Sequence, residues 1–243
     1  MDQNVIPFLM VIGMGIGVIL ISRALDMVWA QVIPIRFFYY IIRAPGVVVH
    51  ELSHVFGCVI MGAKIKKVVL FSIEGGSVTY SRPKIPYLGD LVIGTAPLFC
   101  IPLVLAGFTW IFSTYLGCEF PPFLQGVNST NELFLFAAGI IGMFVQNLVV
   151  VFNPWFLVYL YITLTLVLSV APSLQDIKNA AIGICIISLA GILILWSGIP
   201  LAVNFLVEIT RLVSTGFFLG LTFGIIALCI SFPPVILYMH KNS

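Results

Sequence analysis

The chain has 243 residues, of which 61% are hydrophobic and 8% charged, and its mean hydropathy is +1.18. A soluble domain carries about 25% charged residues, so so few charges cannot cover a water-facing surface of this size, and lipid must be the solvent for most of it. The formal net charge is +2, with the basic residues scattered along the chain, which gives no basis for a nucleic-acid partner.

A membrane-spanning helix needs about 20 mostly apolar residues. In chain order, apolar runs near 5–22, 38–62, 88–113, 132–152, 154–171, 178–199 and 211–238 meet or approach that length, which predicts an all-α polytopic membrane protein with six or seven helices. The first run begins after Asp2, with no Lys or Arg before it and no small-residue cleavage site behind it, so it reads as a retained helix. Its Gly13, Gly15 and Gly17 are expected to serve helix packing, because no strand precedes them as a nucleotide loop would need. The count depends on Asn153-Pro154, where a missing amide donor kinks or ends a helix. Between the second and third runs, residues 64–80 are rich in Val, Ile, Phe and Thr around Gly75-Gly76, the pattern of a β-hairpin or small sheet. Such a sheet has open edges and must lie at the interface or against protein. Glycines 216, 220 and 224 form a small-residue ridge in the last run. Arg23, Arg36 and Arg43 precede or open the second helix, and Lys64, Lys66, Lys67, Arg82 and Lys84 follow it, so the positive-inside rule does not set its direction. The whole of 1–243 reads as a single integral membrane domain, with a core over about 38–180 and additional helices over 181–243.

The five cysteines are odd in number, form no CxxC pair and sit mostly in apolar runs. They read as small buried hydrophobes.

Chemistry concentrates in His50-Glu51-Leu52-Ser53-His54. Residues four apart share one helix face, so His50 and His54 point the same way and suit one zinc ion per chain. Glu51 lies about 100° round the helix, placed to act on metal-bound water as general base without being a ligand. The competing explanation is three satisfied polar residues in a helix interior. An ionisable side chain at the centre of a membrane helix costs about 2.5–3.5 kcal/mol, and three within five residues favour a metal site.

A catalytic zinc usually takes three protein ligands and keeps one open position. Asp176, after the break at Pro172, is the preferred third ligand; a first-turn helix cap is the alternative for it. Asp90 and Glu132 read as helix-start residues, Glu74 as a turn residue, Glu208 as interfacial, and His240 as a residue of the membrane surface. Candidates for contacting a substrate are Asn147 and Asn153, which could equally bridge helices, Pro97 in the Gly94-Thr95-Ala96-Pro97 segment, and Gly75 and Gly76. Arg43, seven before His50, is expected to snorkel to the headgroups.

Ala44-Pro45-Gly46-Val47-Val48-Val49-His50-Glu51-Leu52-Ser53-His54, then Gly62-Ala63-Lys64-Ile65 and the strand-like stretch to Gly75-Gly76, resemble the site-2 protease family of intramembrane zinc metalloproteases. The likeness covers roughly 40–100 well and 150–180 loosely. It implies a sheet after the HExxH helix, a Gly-Pro segment in the third helix like Gly94–Pro97, and an aspartate ligand after a proline-containing break, the place of Asp176. The family's Asp-Gly pair is Asp176-Ile177 here, and the asparagine shortly before that aspartate is absent. The resemblance is to a divergent prokaryotic-type member without a PDZ or CBS domain. It implies a zinc endopeptidase of a cell membrane that hydrolyses a peptide bond of a membrane-protein substrate, with the hairpin open to β-augmentation by an unwound strand. Two alternatives stay open: a prenyl-protein protease, which would place Glu132 or Glu208 at the metal, and a non-enzymatic metal transporter or scaffold. Oligomeric state is not legible.

Overall fold

The computed structural model describes residues 2–33, 35–72, 75–121 and 130–242. Seven α-helices and one two-stranded sheet make up these residues: α1 (Asp2–Val32), α2 (Arg36–Met61), β1 (Ile65–Val69), β2 (Ser77–Tyr80), α3 (Leu88–Leu116), α4 (Thr130–Val145), α5 (Pro154–Leu168), α6 (Leu174–Ser197) and α7 (Pro200–Asn242). Five of the helices are long and apolar enough to cross a membrane, while Leu135–Val150 and Pro154–Leu168 are shorter apolar segments. Large side chains such as Leu9, Phe37, Leu189 and Leu201 stand exposed on the outer faces, as lipid-facing residues do.

Several boundaries differ from those the sequence predicts. α1 continues ten residues past Ser22, because Arg23 and Asp26 are not loop residues. Asp26 pairs with Arg43 Nε at 3.1 Å and accepts the Tyr39 hydroxyl, and Arg23 donates to the Pro172 carbonyl at 3.1 Å. Arg43 therefore faces Asp26. α6 begins four residues early, at a capping box formed by Ser173 and Asp176. α7 begins eleven residues early, after the left-handed cap at Gly198, and runs for 43 residues. At 1.5 Å per residue that is about 65 Å, more than twice a bilayer's hydrocarbon core. The run at 132–152 is one helix that ends in a π-turn over Gln146–Val150, and Pro154 opens α5 as its first residue.

The main core is formed where α1, α3, α5 and α7 meet, around Ile101, Leu105, Phe156, Tyr159 and Phe223. Gly220 and Gly224 let α7 approach Val18 and Ile21 of α1. β1 and β2 pair antiparallel, Val68 opposite Val78 and Val69 opposite Ser77, with an irregularity between Ile65 and Lys67. The predicted glycine turn lies at the end of the connection, just before β2. Tyr80 ties the hairpin to α3 by donating to Asp90 at 3.4 Å, and burial pushes its phenol up to about 12.

Candidate metal centre

α2 sets the two histidines on one buried face, with His50 and His54 8% and 5% exposed. Their neighbours reach them through a close helix contact. A Cβ on Gly46 would fall 1.9 Å from the Thr165 carbonyl oxygen, and the Gly46 amide donates to Thr165 Oγ1 at 3.0 Å. α5 can therefore lie against α2 only at a glycine, and this carries the end of α5 to the metal face. There α5 stops, and the Ser169 carbonyl, left without a helical partner, accepts from His50 Nδ1 at 2.5 Å.

His54 finds its partner in α3. Pro97 has no amide hydrogen, so the carbonyl four residues back, Ile93, is freed from the helix ladder. That carbonyl accepts from His54 Nδ1 at 2.7 Å. Both acceptors are backbone oxygens released by a helix irregularity. A carbonyl only accepts, so both Nδ1 atoms carry the hydrogen and both Nε2 lone pairs point inward.

Asp176 completes the group. Its backbone is brought in by Gly94, where a Cβ would lie 2.9 Å from the Asp176 carbonyl oxygen. Its Oδ2 sits 3.8 Å from His50 Nε2 and 3.5 Å from His54 Nε2, while the two Nε2 atoms are 3.1 Å apart. The same Oδ2 accepts from the Ser173 amide at 2.8 Å and from its hydroxyl at 2.6 Å. The helix cap, one of the two roles the sequence offers Asp176, is formed, and the same oxygen also faces both Nε2 atoms.

The donor set fits a divalent ion. Two Nε2 lone pairs facing each other at 3.1 Å repel unless a cation or a proton lies between them. Zinc bonds of about 2.0–2.2 Å in a tetrahedron put neighbouring ligand atoms roughly 3.3–3.6 Å apart, and the three separations straddle that range. Among the described residues, His50, His54 and Asp176 are the one group of three whose ligand atoms converge in this way, all within 4.8 Å of one another. Glu208 is exposed on α7 and outside the group, as is His240 at the end of the same helix. Asp90 lies in the first turn of α3, as read. Glu74 and the Glu132 side chain lie outside the described residues. All five cysteines are free thiols, and Cys58 packs with Ala63 and Ile93 instead of facing the metal group.

Glu51 is buried beside the histidines and meets the hairpin. A Cβ on Gly76 would fall 2.7 Å from Glu51 Oε1, so the carboxylate occupies the space a side chain there would need. Gly75, at φ +107°, makes the turn that brings Gly76 in. A polar cavity of about 310 Å³ opens beside them, lined by Arg23, Asp26, Arg43, His50, Glu51 and Gly76 among others.

The remaining substrate candidates do other work. Asn147 donates to the Glu119 and Met143 carbonyls at 2.7 and 2.8 Å and accepts from the Glu119 amide at 3.0 Å. Asn153 donates to the Leu116 carbonyl at 2.8 Å and caps α5 by accepting from the Trp155 amide at 3.0 Å. Both bridge helix ends, and neither lines the cavity. Pro97 is buried in α3 and does not line the cavity. Sequence reasoning missed the two carbonyls, Arg23 and Asp26. The freed Ile93 carbonyl follows from Pro97 alone, and the i, i+3 pair Arg23 and Asp26 inside a continuing apolar run signals buried partners.

Pro97→Ala tests this reading. It restores an amide that competes for the Ile93 carbonyl, and it removes a proline from a helix interior. Zinc affinity is expected to fall about tenfold, the lower end of what losing the hydrogen-bond partner of a ligating histidine costs, while thermal stability holds or rises. Chelator competition and thermal unfolding give both readouts; unchanged affinity would sever Pro97 from the site.

Comparison with known protein families, curated proteins and solved structures returns no match.

Proposed function

We propose that the chain is an intramembrane zinc metalloprotease that hydrolyses a peptide bond of a transmembrane substrate. One observation carries the reading: two inward Nε2 atoms and a carboxylate oxygen converge within 4.8 Å, and a further carboxylate, Glu51, stands beside them at a polar cavity. When bound there, zinc supplies Lewis acidity, which makes water acidic enough to lose a proton near neutral pH. Glu51 is the base that holds that proton and returns it to the leaving amine. Asp176 and the histidines are ligands, and their partners Ser169 and Ile93 fix the ring orientation. Gly76 keeps Glu51 in place from the hairpin side. The hairpin has two strands, β1 being exposed at Lys66, Lys67 and Val68, and it offers an edge to an unwound substrate segment.

The reading is tested on purified protein in lipid nanodiscs presented with a mixture of transmembrane peptides. Mass spectrometry is expected to find fragments that vanish with 1,10-phenanthroline and return when zinc is restored. Fragments that persist without metal, or none under any condition, would end the protease assignment.

A further inference from the structure

The cavity beside the metal centre holds a charge that the protein itself does not match. Arg43 is paired with Asp26 at 3.1 Å. Glu51 and Asp176 together equal the charge of the divalent ion their site fits. Arg23 remains. Among the described residues it makes no ion pair, and its guanidinium donates once, to the Pro172 carbonyl. A guanidinium has five N–H donors, and a neutral side chain would serve a lone carbonyl at far lower cost in a membrane protein. Ionisable residues at membrane depth mark the paths of what the protein handles. Arg23 lines the same cavity as His50, Glu51 and Gly76, so an anionic group that reaches it enters the space where a peptide would be cut.

We propose that Arg23 is a specificity-determining residue that receives a carboxylate of the substrate peptide, so that the preferred substrates carry an acidic group next to the segment held at the metal. The inference rests on the protease reading for what the occupant is, but not for the charge that would bind it. A planar fork of donors suits a carboxylate in two-point contact. The peptide is favoured over an anionic lipid because the cavity walls include Glu51 and the hairpin glycine that touches it.

The test measures binding and not turnover. Three fluorescein-labelled leucine-alanine peptides are compared on zinc-loaded wild-type protein. One has a central glutamate and an amidated end, one a glutamine in its place, and one that glutamine with a free C-terminal carboxylate. In each, ketomethylene groups replace the bonds beside the central residue, so the peptide cannot be cut there. The glutamate peptide is expected to bind about ten- to hundredfold more tightly than its glutamine twin, the range of a hydrogen bond to a charged partner. Arg23→Gln should erase the difference with zinc content unchanged, and Arg23→Lys should keep part of it. Tighter binding of the free-acid peptide than of the glutamate peptide would assign the carboxylate to a chain end, within the same proposal. Equal binding of the glutamate, free-acid and amidated glutamine peptides, none detectable included, overturns it. So does a preference that survives Arg23→Gln, or one abolished by phosphatidylglycerol but not phosphatidylcholine, which would give Arg23 to a lipid headgroup. A carboxylate preference without any proteolysis would fail the protease reading alone.

Discussion

Glu51→Gln is expected to retain a full complement of zinc and to lose peptide hydrolysis by about 10²–10⁴-fold, the span a positioned general base contributes. The substitution is nearly isosteric, and the side chain lies beside Gly76 and outside the ligand group, so neither the metal nor the hairpin should move. What disappears is the oxygen that takes a proton. Zinc measured per chain and cleavage measured on the same preparation separate the two effects. Loss of zinc together with activity would make Glu51 a ligand. Activity that persists would mean the proton goes elsewhere, and a transporter or scaffold would be indifferent to the change.

Gly46→Ala is expected to be the most damaging small substitution in α2. The new methyl would sit 1.9 Å from the Thr165 carbonyl oxygen and 2.6 Å from Ser169 Oγ. The first of these atoms is backbone and cannot rotate away. Alanine gains about 1 kcal/mol of helix propensity over glycine, and the forced separation of two packed helices costs about 3 kcal/mol, so separation wins. Because Ser169 orients His50 and the break it opens leads to Asp176, zinc binding should fall along with the melting temperature. Gly107→Ala is the control: a methyl there meets nothing within 4 Å, so zinc binding should stay at wild type and the melting temperature should hold or rise. A Gly46→Ala protein with normal zinc and normal stability would show that α5 is not held by this contact.

Much of the architecture was legible because the bilayer imposes one rule on every segment. Apolar runs of sufficient length had to be helices, and a stretch rich in β-branched residues with paired glycines had to be a protected hairpin. The metal face was legible for a similar reason, since His50 and His54 are local on one helix. Asp176 was reachable by position after the Pro172 break. The rest depended on which helix lies against which. Arg23 and Asp26 looked like the end of a span because their partners, Pro172 and Arg43, lie 149 and 17 residues away in sequence. Pro97 announced a free carbonyl at Ile93, but only the packing of α2 on α3, where Gly57 meets Ile93, says that His54 takes it. Asn147 and Asn153 carried no signal to separate a helix bridge from a substrate clamp; the deciding partners, Glu119 and Leu116, are loop and helix-end backbone.

The central claim is that His50, His54 and Asp176 hold one divalent ion. Elemental analysis of the purified protein, with His54→Ala, Asp176→Ala and Glu208→Ala beside it, tests it most directly. The account requires about one zinc per chain in the wild type and in Glu208→Ala, next to none in His54→Ala, and a marked loss in Asp176→Ala. Zinc retained without His54, or lost with Glu208, would contradict it.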